Sequence, residues 1–572
     1  MYALHQVDVS SDDGGDLVAK LASLRKSLHA LKQLNATASA SEAAAGSEPS
    51  EHVWQLNGAQ SSVLSLLDKD KSVVVVGSAG TGKTALIKAK VKSRLSEKPN
   101  GRILITAPYN THVLKLFEDL WEDVVCAKAI IERRIVLKTC AAAFGFPLRG
   151  AISVLSMKSR LSGEMTALLQ EEDLFGVTDE AGLLWCDKRD WVSALLKDVR
   201  KNDAPDGGVQ FLEVQDPLQA EPFQTVEEKN KIMINGVMVR ELNVDGMYMK
   251  DPHRAVVFLT EVKRFKGANK ELFQTGLNQI RAGDCSWEAQ QVVKISSERV
   301  FTAAEQLKKL TIFGTSKEVK EASRGNTLKR ATANGHTVAN GGVWIFRSPG
   351  AEAYTEAQLN SLRPVGFEEI VIAKDELMLV SVKSGFGEGD DGTDEGEERG
   401  EGLTFKDGKF ATGNMVGKVL NFCPGAWVKV KILSRPEGRN ILTVPVDLVK
   451  KEGVELPLLA VKPYWERVGD LAQGLEVDGP VEVVATKIFG RGKFYVAMSR
   501  CRELANLKVT GLNGFADLRR VVKSNWRAIH FHLQHNQPMP QSSESYARSQ
   551  LLRFQTLMAG QEATVDAMAM RC

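Results

Sequence analysis

The stretch VVVVGSAGTGKTALI at residues 73–87 has the residue types and the spacing needed to hold the phosphates of a nucleoside triphosphate. Its four consecutive valines predict a buried parallel strand, and the residues after the last glycine predict the start of a helix. The glycines let successive backbone N–H groups point at phosphate oxygens beside a helix N-terminus. The spacing G-x-x-x-x-G-K-T is met in full from Gly77 to Thr84. This motif predicts binding of ATP or GTP.

Two side chains of this phosphate loop have specific expected tasks. Lys83 would reach the β- and γ-phosphates, and the hydroxyl of Thr84 would ligate Mg²⁺. The predicted nucleotide-binding residues of the loop are Gly77, Ser78, Ala79, Gly80, Thr81, Gly82, Lys83 and Thr84.

Hydrolysis also needs a carboxylate for the metal and a group that activates water, and these must follow neighbouring strands. The segment LFGVTDEAGLLW at residues 174–185 is a short apolar strand candidate that ends in Asp179 and Glu180. Asp179 would join the Mg²⁺ shell, and Glu180 would activate the attacking water. Taken alone, such an acidic pair is also what an ordinary strand-to-turn boundary contains.

Two further segments supply candidates for contacts with the γ-phosphate. GGVQFLEVQDPLQAEPF predicts a strand followed by a turn that carries Gln219, whose amide would contact this phosphate. KFYVAMSR, read as a strand or a helix edge, ends in Arg500, which would reach the transferred phosphoryl group across a cleft. Outside this context, both residues would be ordinary surface side chains.

Composition limits the other classes of function. The chain has 572 residues, with 74 Lys and Arg against 71 Asp and Glu, so any nucleic-acid surface must be a local patch. The seven cysteines form no C-x-x-C pair, which argues against a zinc site or a disulfide framework and favours a reducing intracellular compartment. No apolar run approaches the length of a membrane span, so no membrane partner is expected.

Low-complexity segments suggest where domains begin and end. Residues 1–50 read as a leucine-striped helix followed by an Ala/Ser/Glu linker. Residues 387–402 hold eight acids and six glycines, which predicts a disordered loop inside a domain. Residues 521–572 are predicted to form a C-terminal helical tail.

Several segments in one order resemble the superfamily-one helicases of the RecD/Pif type. GSAGTGKT is similar to the family's phosphate loop, TDEAG to its Walker B motif and YVAMSRCREL to its Y-V-A-L-S-R signature. GGVQFLEVQDPLQ resembles the motif with the sensor glutamine, and LNGAQSSVLSLL resembles the opening motif. The resemblance covers roughly residues 55–512, densely in the first half and thinly in the second.

The resemblance implies roles for further residues. Gln60 would read the adenine, and Arg264 in VVFLTEVKRF would be a second cation at the γ-phosphate. The family's H-K-S-Q-G motif appears here as DLAQG, in which Gln473 and Gly474 would contact the nucleotide while Asp470 and Leu471 replace the His-Lys pair. Candidate nucleic-acid contacts, from ILITAPYNTHVLKL and LKTCAAAFGF, are Tyr109, Asn110, Thr111, His112, Thr139 and Phe144. A core position for Phe144 is an equal alternative.

The implied fold class is α/β, with two RecA-like P-loop NTPase lobes whose parallel sheets are flanked by helices. The first lobe, with the ATP site, would span residues 51–265, and the second would span residues 266–520. A small β-barrel-like insertion in the second lobe would include EIVIAKDELMLVSVK and AWVKVKIL.

The implied function is an ATP-dependent DNA helicase or translocase that uses ATP and Mg²⁺ and moves 5′ to 3′ on single-stranded DNA. Single-stranded DNA and junctions of single with double strands would be its partners, and the protein would be monomeric or weakly self-associating in the nucleus or the mitochondrion. Roles of this family in DNA repair, recombination and telomere maintenance follow from the same resemblance. Two alternatives stay open: a nucleotide-dependent switch on nucleic acid with a weak or uncoupled ATPase, and an RNA helicase.

Overall fold

The computed structural model describes most of the chain between residues 56 and 569. The described ranges are 56–147, 152–222, 233–234, 237–238, 241–360, 362, 366–382, 413–433, 441–451, 453–473, 475–488 and 490–569. The predicted N-terminal helix and linker at 1–50 and the acidic segment at 387–402 lie outside the described residues.

A six-stranded sheet forms the centre of the first lobe. The strands of this part of the chain are β1 (Ser72–Gly77), β2 (Ile103–Ala107), β3 (Ile135–Thr139), β4 (Phe175–Thr178), β5 (Gln210–Gln215), β6 (Met233–Ile234), β7 (Val237–Met238) and β8 (Arg254–Leu259). The sheet has the order β3-β2-β4-β5-β1-β8 and all its pairings are parallel, while β6 and β7 form a separate antiparallel pair. The predicted strands at the valine run and before Asp179 are therefore present as β1 and β4.

Helices cover both faces of this sheet, which explains why β1 is apolar at consecutive positions. The helices of the first lobe are α1 (Gly58–Leu67), α2 (Lys83–Glu97), α3 (Asn110–Trp121), α4 (Val124–Ile131), α5 (Cys140–Phe144), α6 (Val154–Lys158), α7 (Gly163–Gln170) and α8 (Cys186–Arg200). Val73 and Val75 pack among residues of α2 and α3, whereas Val74 and Val76 pack with Trp526 from the C-terminal region. The end of the chain thus returns to the first sheet.

The second lobe contains a smaller parallel sheet and most of the remaining helices. The helices of the second lobe and of the C-terminal region that follows it are α9 (Lys270–Ala282), α10 (Trp287–Glu298), α11 (Ala303–Lys308), α12 (Ser316–Ala333), α13 (Glu356–Asn360), α14 (Lys493–Met498), α15 (Phe515–Val521), α16 (Trp526–Gln534) and α17 (Gln541–Ala569). The strands are β9 (Leu310–Phe313), β10 (Val343–Arg347), β11 (Glu369–Ala373), β12 (Leu377–Val382), β13 (Gly413–Cys423), β14 (Trp427–Ile432), β15 (Ile441–Lys451), β16 (Val454–Leu459), β17 (Val461–Pro463), β18 (Glu466–Val468), β19 (Val481–Val484) and β20 (Leu507–Thr510). The parallel sheet has the order β18-β9-β19-β20.

An antiparallel sheet inserted between β9 and β18 closes into a small barrel. Its order is β16-β15-β14-β13-β12-β17. The continuous run of residues 454–463 pairs through β16 with β15 and through β17 with β12, so both edges of the sheet end on one strand. In β14, Val428, Val430 and Ile432 are buried and the intervening residues are half-exposed, which is the alternation expected of a barrel wall. The expected barrel-like insertion is present and contains LMLVSV as β12 and WVKVKI as β14. The predicted barrel segment EIVIA instead forms β11, which pairs with β10 in a separate two-stranded sheet.

Four charged side chains form a buried ionic cluster under the first sheet. Arg189 of α8 donates two hydrogen bonds to Asp206, both of 2.8 Å, and one of 2.8 Å to Glu213. Arg254 pairs with the same two carboxylates. Burial opposes ionisation of Asp206, but the attraction of Arg189 outweighs it and holds the pKa at about 2. The cluster therefore ties α8 to the sheet.

Replacing Arg189 by methionine is expected to lower the free energy of unfolding by about 3 kcal/mol, because two buried carboxylates would share one arginine. Thermal unfolding measures the effect, with Lys188→Met, the neighbouring and less buried residue, as the control. A melting temperature of Arg189→Met equal to that of the control would contradict this prediction.

Candidate nucleotide-binding site

The phosphate loop joins β1 to α2 and wraps around its own lysine. Lys83 Nζ donates to the carbonyl oxygens of Gly77 and Ser78 at 2.8 and 3.1 Å. Gly80 has a φ of +84°, and a Cβ there would lie 2.3 Å from the Cβ of Arg264, so glycine is required at this position. Burial lowers the pKa of Lys83, although three nearby carboxylates act in the opposite direction. The ammonium group is thus held at the mouth of the loop.

Gln60 contacts the phosphate loop from α1. Its side-chain amide donates to the carbonyl oxygens of Thr81 and Gly82, both at 3.3 Å, while its Oε1 accepts from the N–H of Asn57 at 2.9 Å. Gln60 also completes the capping box at the start of α1. These contacts place the predicted adenine-reading side chain against the loop.

The acidic pair follows β4 at the carboxyl edge of the sheet. The N–H of Asp179 donates to the carbonyl oxygen of Thr106 at 2.9 Å, which continues the pairing with β2. Burial, reinforced by the charge of Glu180, raises the pKa of Asp179. Glu180 has left-handed backbone angles, φ 51° and ψ 38°, an uncommon conformation for a glutamate and one that turns the chain sharply away from the strand. Strain of this kind is concentrated at functional sites.

A side chain of the second lobe contacts Glu180 directly. Gln473 Nε2 donates to Glu180 Oε2 at 3.2 Å. His112 of α3 hydrogen-bonds the backbone of Gln473, and burial lowers the pKa of this imidazole, so it is neutral at pH 7. The predicted water-activating carboxylate is therefore linked to both lobes. Gly474, the neighbour of Gln473 in the predicted motif, lies outside the described residues.

The predicted sensor glutamine belongs to a buried polar group that includes an arginine. Gln219 Nε2 donates to Asp216 Oδ2 at 3.0 Å, and Gln219 Oε1 is buried without a hydrogen-bond partner among the described residues. Arg281 of α9 donates to both carboxylate oxygens of Asp216, at 2.5 to 3.0 Å. Sequence reasoning missed Arg281, because no motif marks it and 65 positions separate it from Asp216.

The two predicted arginines reach the site from opposite lobes. Arg264, just after β8, donates to the carbonyl oxygen of Ser499 at 3.2 Å and pairs with Glu476. Arg500 follows α14, and its guanidinium donates to Val496 O at 2.8 Å and to Leu475 O at 3.1 Å. The predicted strand or helix edge before Arg500 is a short helix, α14, whose residues 494–498 are all buried. Burial, with the nearby charge of Arg264, lowers the pKa of Arg500 to about 10, so it stays cationic at pH 7.

Further hydrogen bonds join the lobes around the loop. The N–H of Ala79 donates to the hydroxyl oxygen of Tyr495 at 3.1 Å. Glu221, two residues after Gln219, accepts from Arg491 at 3.1 Å and from Asn525 at 2.7 Å. Glu221 therefore has a structural role at the interface.

These groups surround one cavity of about 370 Å³ between the lobes. Predicted site residues on its wall are Gln60, Ala79, Gly80, Gly82, Lys83, Thr84, Asp179, Glu180, Gln219, Arg264 and Arg500. Charged residues on the wall that the sequence did not single out for the nucleotide are Lys88, Lys115, Asp119, Lys263, Glu476 and Arg502. The cavity thus combines a cationic loop and two carboxylates of one lobe with arginine from the other.

The residues predicted to touch nucleic acid lie in different surroundings. His112 is 4% exposed and lines the nucleotide cavity, so its position fits the nucleotide site. Phe144 is 2% exposed in the core with Phe146, so the structure supports its core position over base stacking. Thr139 caps α5, its hydroxyl accepting from the N–H of Ala142 at 3.2 Å. Tyr109 and Thr111 are half-buried at the start of α3, where Asn110 is the first helical residue.

Comparison with known proteins extends this picture. No family model matches the chain. The ATP-dependent DNA helicase Pif1 of Psychrobacter sp. (strain PRwf-1) is 23% identical over 487 residues, which are 79% of this chain and 68% of the relative. The ATP-dependent DNA helicase PIF1 of Xenopus laevis is 23% identical over 485 residues, which are 84% of this chain and 64% of the relative.

Solved structures match over a similar span. Pif1 helicase from Candida albicans has a TM-score of 0.58 and 20% identity, covering 84% of this chain and 99% of that one. Pif1 helicase from Bacteroides in complex with ADP-AlF3 and single-stranded DNA has a TM-score of 0.57 and 16% identity, covering 84% and 97%. The fold is therefore that of two RecA-like lobes, and the predicted resemblance to Pif1-type helicases is confirmed. Among the described helices, none is long and apolar enough to cross a membrane.

Proposed function

We propose that this chain, a divergent relative of the Pif1-type superfamily-one helicases, is an ATP-dependent DNA helicase that moves along single-stranded DNA. The observation that carries the proposal is the cavity between the lobes. There the phosphate loop and the carboxylates of the first lobe face Arg500 of the second. Because the site is divided between two lobes, nucleotide binding can change the contacts between them.

The residues on the cavity wall fit ATP with Mg²⁺. Thr84 and Asp179 would hold the metal, since hydroxyl and carboxylate oxygens are the ligands that Mg²⁺ prefers. Bound there, Mg²⁺ supplies positive charge that offsets the charge developing on the phosphates. Lys83 would bind the β- and γ-phosphates. The buried side-chain oxygen of Gln219 has no hydrogen-bond partner in the part of the chain that the structure describes, and a bound water or ligand would satisfy it.

Glu180 would accept a proton from the attacking water, while Arg264 and Arg500 would stabilise the transferred phosphoryl group. Gln473 couples this step to the second lobe, because its amide donates to Glu180 across the cleft. Separation of the lobes after hydrolysis would break that hydrogen bond. Alternate gripping of DNA by the two lobes would then move the protein along one strand.

The proposed partners are single-stranded DNA and its junctions with duplex, approached from the start of α3 through Tyr109, Asn110 and Thr111 and from Thr139 at the end of β3. Movement is proposed to run 5′ to 3′, in a monomeric or weakly associating protein of the nucleus or the mitochondrion. The proposed lobe boundaries remain residues 51–265 and 266–520.

The first experiment is ATP hydrolysis with and without single-stranded DNA, with Lys83→Ala as the inactive control. We expect stimulation by DNA of about tenfold or more, which equals about 1.4 kcal/mol of barrier. Unwinding of duplexes that carry a 5′ or a 3′ single-stranded tail then measures direction, and a matched single-stranded RNA tests the choice of nucleic acid.

Turnover that is abolished by Lys83→Ala but does not respond to DNA would contradict the helicase. It would favour the nucleotide-dependent switch with an uncoupled ATPase. Equal stimulation by RNA would instead favour an RNA helicase. If the wild-type chain binds no nucleotide and shows no DNA-stimulated ATP hydrolysis, the ATP site itself is refuted.

A further inference from the structure

A glutamate of the second lobe lies within the cation-rich side of the nucleotide cavity. Glu476 lines the cavity together with Lys83, Arg264 and Arg500. Its Oε1 pairs with Arg264 of the first lobe, and its Oε2 accepts from Arg502 Nη2 at 3.0 Å. The Glu476–Arg264 pair therefore spans the cleft between the lobes. Neither the motifs nor the departures considered in the sequence single out this residue.

Glu476 is ionised in this position. Burial opposes its ionisation, but the attraction of Arg264, followed by Lys115 and Arg502, outweighs burial and holds the pKa of Glu476 at about 2. The negative charge of this carboxylate lies in the part of the cavity that the negatively charged phosphates of a nucleoside triphosphate would occupy. Like charges close together in a partly buried site repel each other, so the carboxylate and a phosphate cannot both stay beside the same cation without cost.

Each terminal nitrogen of Arg264 already donates to one acceptor. One terminal nitrogen donates to the carbonyl oxygen of Ser499 at 3.2 Å, and the other is paired with Glu476. A γ-phosphate that binds Arg264 in the proposed way has to compete with Glu476 for the N–H groups of Arg264 that face the cavity. The terminal phosphate of ADP, one group shorter, makes no such demand.

We propose that Glu476 is a specificity-determining residue that competes with the γ-phosphate for Arg264. Its carboxylate makes triphosphate binding weaker while leaving diphosphate binding nearly unchanged. This inference rests on the proposed ATP site. It adds a residue that distinguishes a bound triphosphate from a bound diphosphate. The diphosphate leaves the Glu476–Arg264 pair between the lobes intact, and the triphosphate replaces it.

The second partner of Glu476 makes this exchange feasible. The side chain of Glu476 is 34% exposed, and its charge is more stable with a cation beside it than without one. Arg502 would remain beside Glu476 after Arg264 has turned to the phosphate, and Arg502 is itself held by Asp478 at 2.8 Å. The carboxylate would thus keep one paired cation in either state.

The test compares nucleotide affinities of the full chain and Glu476→Gln, which removes the charge and keeps the shape. Fluorescent derivatives of a non-hydrolysable ATP analogue and of ADP are titrated in the presence of Mg²⁺. The variant is expected to bind the triphosphate analogue about tenfold more tightly and ADP within about twofold of wild type. The matched control is Asp478→Asn, because Asp478 also pairs with Arg502 but is not among the residues that line the cavity. It should leave the ratio of the two affinities unchanged.

Three results would overturn the proposal. Weaker triphosphate binding by Glu476→Gln would mean that Glu476 positions Arg264 for the phosphate. Equal tightening for both nucleotides would mean that it acts only through general charge, and unchanged affinities for both nucleotides would mean that it does not compete. In all three cases the ATP site stands if Lys83→Ala loses binding. If the wild-type chain binds neither nucleotide, the proposed function fails first and this inference fails with it.

Discussion

Replacing Glu180 by glutamine is expected to lower ATP turnover by about 10²- to 10⁴-fold, the usual contribution of a general base. The amide cannot accept the proton of the attacking water, but its oxygen can still accept the hydrogen bond that Gln473 donates to Glu180 at 3.2 Å. Nucleotide and single-stranded DNA should therefore bind almost as in wild type. Steady-state hydrolysis and equilibrium titration with a fluorescent ATP analogue measure the two effects separately.

The comparison for this variant is Glu172→Gln, which neutralises an exposed carboxylate just before β4 and should turn over ATP at the wild-type rate. Wild-type turnover in Glu180→Gln would remove Glu180 from the role of base. A parallel loss of nucleotide binding would show instead that the charge of Glu180 is needed to hold the shape of the nucleotide site.

The sequence predicted the parts of the site that depend on local pattern. The valine run, the glycine spacing and the acidic pair after a short apolar segment each predict an element from fewer than about 20 residues, and the structure has these strands and this loop. Parallel strands bring their carboxyl ends to one edge of the sheet, so the residues that follow β1, β4 and β5 are expected to lie close together there. Gln219 and Asp179 therefore line the same cavity.

The remainder of the site depends on contacts across the cleft, which local pattern does not encode. Arg281 of α9 meets Asp216 although 65 positions separate them, and Glu476 meets Arg264 although 212 positions separate them. His112 illustrates a different difficulty. A polar residue at the start of a helix predicts a surface contact, but the approach of the second lobe buries it.

Replacing Arg500 by alanine is expected to lower the rate of ATP hydrolysis by about 10³-fold or more, the effect typical of an arginine finger. Arg500 is 2% exposed and lines the cavity opposite the phosphate loop, so its charge acts where water does not screen it. Ground-state nucleotide binding should change far less, because Lys83 and the loop supply most of the phosphate contacts. Single-turnover hydrolysis gives the rate, and titration gives the affinity.

Arg500 also holds the backbone, through Val496 O and Leu475 O, so loss of rate has to be separated from loss of structure. Arg500→Lys retains a charge but not the planar fork, and we expect it to restore thermal stability more fully than turnover. Arg519→Ala, which removes an arginine stacked on Phe515 outside the cavity, serves as the control. If Arg500→Lys restores both properties together, Arg500 acts by supporting the loop around it. If stability returns while the rate stays low, its guanidinium acts on the phosphoryl group.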